Sequence, residues 1–98
     1  MLQVKFYAAI MKAIDDGLLE IFGPATARAV EFYVDPSIAS TDMVQYTKLL
    51  QKIFGEGSKI VEDKVAEKLY SNLHLQFQKI ENYRLWDYVV EAKKTQNL

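Results

Sequence analysis

Leu49-Leu50-Gln51-Lys52-Ile53-Phe54-Gly55-Glu56-Gly57-Ser58-Lys59 is the stretch whose reading decides the fold. Upstream of it Met43, Tyr46, Leu49, Leu50 and Ile53 recur at intervals of three and four, so one helix ends at Phe54. Gly55 and Gly57 bracket a turn, and Ser58 is placed to cap the next helix, with Glu62 and Asp63 near its positive end. Val61, Val65, Leu69 and Leu73 then form an apolar stripe four residues apart. The same ending occurs earlier, in Leu18-Leu19-Glu20-Ile21-Phe22-Gly23, with Phe22 lying 32 residues before Phe54. Each copy reads as a helix closed by glycine, with the aromatic ring tucked under the turn and the next helix leaving at once. Such pairs are also ordinary helix-end chemistry, so the matching turns do not by themselves establish duplication. Two copies are too few for a solenoid.

Working outward, Leu2, Phe6, Ile10, Ala13 and Gly17 share one helical face that Tyr7, Met11, Ile14 and Leu18 widen, predicting a helix over about residues 2 to 21. Gly17 costs that helix ~1 kcal/mol relative to alanine and allows a break near Asp15 to Gly17. Pro24 suits the first turn of a second helix, in which Ala27, Val30 and Val34 share a face flanked by Phe32 and Tyr33. Asp35-Pro36 ends it, because a residue before proline is pushed out of the helical region. Asp35 to Thr41 then reads as the main loop, and Ser40, Thr41 or Asp42 can cap the third helix.

Between Ser58 and Leu98 there is no glycine or proline, and Phe77, Ile80, Tyr83, Trp86 and Val90 prolong the apolar stripe. A helix of ~36 residues would reach ~54 Å, far beyond the ~13 Å radius of gyration expected for a domain of this size. Either the chain bends near Ser71 to His74, or another surface covers the distal half. The expectation is an all-α fold of four or five helices, arranged as two helical hairpins closed by Phe22-Gly23 and by Phe54-Gly55 with Gly57, followed by a long C-terminal helix. Residues 1–98 form a single domain in this reading, with 1–73 as the core and 74–98 as the C-terminal helix.

Composition removes several classes of function. The chain has 98 residues, 12 Lys+Arg against 13 Asp+Glu and a formal charge of −1, so no global attraction to nucleic acid or anionic membrane follows. Half the residues are hydrophobic and 26% charged, the balance of a folding chain. With no Cys and one His, disulfides, thiol catalysis, Cys-based zinc and multi-histidine metal sites are excluded. Lys5, Lys12 and Asp15 interrupt the first fifteen residues, so no signal segment is expected. The longest apolar run, Phe6 to Met11, is far short of the ~20 residues that span a bilayer. The expected location is cytoplasmic, with no membrane partner.

No set of residues assembles into catalytic machinery. Gly55-Glu56-Gly57-Ser58-Lys59 has the glycines of a phosphate-cradling loop but lacks its Gly-Lys-Ser/Thr frame, and Glu56 sits where an anion would. Asp15-Asp16 and Glu62-Asp63 are adjacent acids that diverge by ~100° on a helix, which points to solvated surface. His74 has no carboxylate three or four residues away. The expectation is no enzyme, no catalytic residue, no cofactor and no metal. Residues 51–98 hold eight basic and seven acidic side chains, interleaved, so DNA or RNA binding is possible and not favoured.

The run Leu49 to Tyr70, with Ile21-Phe22-Gly23 and Val30-Glu31-Phe32-Tyr33-Val34 upstream, resembles a small archaeal helical domain of the Nitrosopumilus output domain 5 type. The likeness spans roughly residues 8 to 75, rests on short motifs, and departs in a shorter Asp35 to Thr41 linker. It implies an archaeal source and an output or interaction module, and supplies no catalytic residues. The expected function is therefore a non-enzymatic protein-interaction module, self-associating as a homodimer or binding another protein. Phe77, Ile80, Tyr83, Trp86 and Val90 are the expected interface, since Tyr and Trp bury much area while keeping a polar handle. A small DNA-binding transcriptional regulator is the alternative.

Overall fold

Gly23 decides the shape of the first helix. The computed structural model describes residues 2–96, with side chains from residue 5 onward, so the placement of Leu2 on the apolar face and the last two residues lie outside the description. Within α1 (Leu2–Tyr33), Gly23 has φ 82° and ψ 170°, a conformation open in practice to glycine alone. A straight helix of 32 residues would run ~48 Å, and the longest axis of the molecule is 36 Å. The chain instead forms two arms, 2–22 and 24–33. They fold back on each other, which brings Asp15 and Glu31, each eight residues from Gly23, close enough for Asp15 to raise the Glu31 carboxyl.

The other elements are α2 (Ser37–Thr41), α3 (Met43–Phe54), a 3-10 turn (Gly55–Gly57), α4 (Ser58–Asn72) and α5 (Leu85–Gln96). The fold is all-α, 83% helical, with no strand among the described residues. Gly55, at φ 57°, repeats the positive backbone angle of Gly23. The two Phe-Gly turns meet in space: the rings of Phe22 and Phe54 stack at 5.4 Å with planes 9° apart. Asp42 caps α3 by accepting from the Gln45 N–H at 3.0 Å. The expected loop over Asp35 to Thr41 contains α2, started by Asp35, whose carboxylate accepts the Ser37 N–H at 2.9 Å. That hydrogen bond also holds the Asp35 carboxyl below its ordinary range.

Gly17 does not break α1. A Cβ there would lie 3.1 Å from Val65 Cγ2 and 3.3 Å from Val65 Cα, so the glycine lets the first arm approach the backbone of α4 closely. Along that contact Phe6, Ile10, Ile14 and Leu18 meet a core that includes Val61, Val65 and Leu69, joined by Tyr46 and Leu50 from α3. On the outside of the same contact Glu20 of α1 takes Lys64 and Lys68 of α4. Hydrogen bonds from those two lysines lower the Glu20 carboxyl to about 2.

The largest departure from expectation is the C-terminal helix. α4 stops at Asn72, and α5 is a separate helix of 12 residues, so the long helix of this fold is the first one. His74 takes φ 60°, the Leu75 N–H reaches back to the Tyr70 carbonyl at 2.8 Å, and the His74 N–H to the Ser71 carbonyl at 3.1 Å. This is a glycine-type helix ending made by histidine, one of the few side chains tolerated there. Residues 73–84 then cross back irregularly and α5 buries Leu85, Tyr88, Val89 and Ala92. Of the distal stripe only Phe77 and Tyr83 pack on the chain's own core, and α5 covers that core with other residues.

Candidate interaction surface

The five residues expected as an interface separate into two groups. Phe77 and Tyr83 pack against the core, Trp86 is half-buried, and Ile80 and Val90 are exposed at 40% and 51%. Tyr88 is the hub of the inward group, with Tyr83 5.1 Å, Phe77 5.3 Å and Tyr70 6.3 Å from its ring centre. Its hydroxyl accepts from the Ile80 N–H at 2.8 Å and donates to the Ile80 carbonyl at 3.1 Å. The Tyr70 hydroxyl donates to the Tyr88 carbonyl at 2.8 Å, and burial followed by the nearby Glu91 raises the Tyr70 phenol.

Beneath this cluster lies an ionic anchor that the sequence did not reveal. Glu62 and Asp63, read as solvated surface, are buried, with Glu62 at 0% exposure. Glu62 accepts from Ser58 Oγ at 2.6 Å, from the Leu85 N–H at 3.0 Å, from Arg84 Nε at 3.0 Å, and from Arg84 Nη2. Lys59 bridges Asp63 at 2.9 Å and the Tyr83 carbonyl. The correction has a simple cause: Arg84 is 22 residues away, so no local spacing points to it. Lys59 is thereby committed to structure, and the Gly55 to Lys59 stretch acts as a turn. His74, on the helix ending, is exposed.

Beside the anchor, an open cleft of about 400 Å³ is lined by Ile60, Asp63, Lys64, Glu67, Phe77 and Lys79. Its two lysines face two carboxylates, so it favours neither anions nor cations. Between the arms of α1, burial first and Asp15 second raise the Glu31 carboxyl, and Arg28 opposes the rise. The neighbouring Tyr46 is fully buried, its hydroxyl has no partner among the described residues, and burial followed by Glu31 raises the phenol. Asp15, on the other arm, is exposed, so these groups form no enclosed binding site. No group of three or more metal-ligating side chains gathers among the described residues.

What the fold leaves uncovered is elsewhere. Phe32 and Tyr33, at the end of the second arm, are 84% and 77% exposed, the two highest values among the exposed large apolar side chains. Their rings sit edge to face at 5.7 Å, touching each other rather than the core. Ala25, Thr26, Arg28 and Ala29 on the same arm are also exposed. The sequence placed Phe32 and Tyr33 beside the buried face of that arm. The signal that isolates them is that Ala27, Val30 and Val34 already complete a narrow stripe, leaving both rings outside it.

Comparison with protein families, curated proteins and solved structures finds no significant match for this chain. No helix among the described residues is long and apolar enough to cross a membrane.

Proposed function

We propose that this chain is a non-enzymatic protein-interaction module whose contact surface is the outer face of the second arm, centred on Phe32 and Tyr33. The observation that carries the reading is the 84% and 77% exposure of two adjacent aromatic rings in a protein that packs its other aromatic clusters inward. Exposed aromatics grouped on one face are enriched where proteins meet, because each buries a large rigid area at small entropic cost. The resemblance to archaeal output domains points to the same class. Chemistry on a substrate would need converging titratable groups in a cleft, and the buried acids here are already engaged by Arg84, Lys59 and Ser58.

The DNA-binding alternative draws little support from the ion pairs. Lys12, Lys59, Lys64, Lys68, Lys79 and Arg84, half of the twelve basic side chains, each face a carboxylate, so at those positions phosphates would have to displace existing partners. Duplex binding that weakens steeply with added salt would favour that alternative.

In-cell cross-linking of the wild-type chain and of a Phe32→Ser, Tyr33→Ser double variant tests the interaction reading. Cross-linked species should be present for the wild type and be lost for the variant at equal abundance. An identical set of species for both would refute it.

A further inference from the structure

We infer that the partner for this surface is a second copy of the same chain, with the second arms of α1 packed antiparallel about a twofold axis. The inference rests on the interaction reading above and adds the identity of the partner. Ala25, Arg28, Ala29 and Phe32 recur at three and four residues, so they form one exposed stripe with Tyr33 at its edge. A twofold axis passing between residues 30 and 31 sets Ala29 opposite Phe32 of the second copy. It sets Arg28 opposite Tyr33.

Each pairing is complementary, and each occurs twice because the contact is isologous. A methyl group facing a ring lets the two helices interdigitate closely. A guanidinium over a ring gains a cation–π contact. The charges also run the right way for reversal. Arg28, near Glu31 on its own arm, makes no ion pair within 4 Å among the described residues, and exposed Asp35 lies just past the other end of the helix, so antiparallel order brings opposite charges together where parallel order would bring like charges together.

Area sets the strength. Phe and Tyr present roughly 150–250 Å² each, so at 84% and 77% exposure the two rings offer roughly 300 Å² per copy. Standard stable interfaces take about 800 Å² from each partner. The two rings alone fall well short of that size, which describes a weak, reversible dimer.

Sedimentation equilibrium on the full chain, from about ten micromolar to one millimolar, provides the test. The wild type should show a concentration-dependent dimer. Phe32→Ser and, separately, Ala29→Trp should each weaken it at least tenfold while circular dichroism and thermal midpoint stay those of the wild type. A wild-type monomer at one millimolar overturns the inference, as does a dimer indifferent to both substitutions. If that monomer still gives Phe32-dependent cross-links in cells, the partner is a different protein and the interaction reading stands. If those cross-links are also indifferent to Phe32 and Tyr33, both fall together.

Discussion

Two segments of this chain are rich in aromatic residues, and they meet opposite fates. In the C-terminal one, Phe77, Tyr83 and Tyr88 close on Tyr70 and on the core. In the second arm of α1, Phe32 and Tyr33 touch mainly each other and face solvent. Aromatic density is similar, so it is not what decides. The difference lies in polar anchors. Arg84, the Leu85 N–H and the Tyr83 carbonyl are each held by Glu62 or Lys59 of α4, and these contacts fix the crossing segment over the core. On the arm, the approach of Asp15 to Glu31 engages the half-buried side of the helix and leaves the outer side untouched.

The most severe way to break this contrast is Glu62→Ala. It leaves the Arg84 guanidinium and the Leu85 N–H without their acceptor, a loss of ~3 kcal/mol or more in chemical denaturation. Hydrogen exchange at Leu85 and Tyr88 should accelerate more than at Ile14 or Val65. Equal acceleration throughout would show that the anchor does not act locally. A milder cut is Tyr88→Phe, which keeps the ring cluster and removes the hydroxyl that serves Ile80 twice, and it should cost ~1–2 kcal/mol by the same measurement.

On the arm, Glu31→Gln tests that approach through pH. The folded-state value of Glu31 is raised above the ordinary 4.5, so the folded chain holds a proton that the unfolded chain releases. Its contribution is complete below pH 4.5 and is lost as pH rises through the raised value. Denaturation midpoints of the wild type should fall across that interval, and the glutamine variant should lack this part of the slope. Smallest of all, Phe32→Ser with Tyr33→Ser should change monomer stability by no more than ~0.5 kcal/mol. A larger loss would mean that those rings support the fold, and would erase the contrast with Phe77 and Tyr83.

What the sequence revealed of the fold divides along the same line between local and distant chemistry. Both Phe-Gly turns are legible because glycine conformation and ring placement are settled within a few residues, whereas Ser58, expected to cap the fourth helix, makes no capping bond and donates to Glu62 instead. The third and fourth helices are legible for the same reason, although Ile53 of the expected stripe is exposed at 46%. The end of α4 is not, since histidine in place of glycine gives no punctuation and the apolar period runs on through the break. A bend near Ser71 to His74 follows from length alone, without its mechanism. Glu62 misleads because its partner lies on another element. The exposure of Phe32 and Tyr33 depends on which face of a short arm the rest of the fold uses, and the period of that arm only hints at it.

Trp86 is the single tryptophan of the chain, and it sits half-buried on α5, just beyond the Arg84 anchor. Intrinsic fluorescence therefore watches one event, the seating of the last helix, while far-ultraviolet circular dichroism watches every helix together. Coincident denaturation curves from the two signals would mean that the anchor welds the last helix into one cooperative unit with the rest. A red shift that comes first would mark it as a separable unit that lifts off and returns while the two Phe-Gly turns remain stacked.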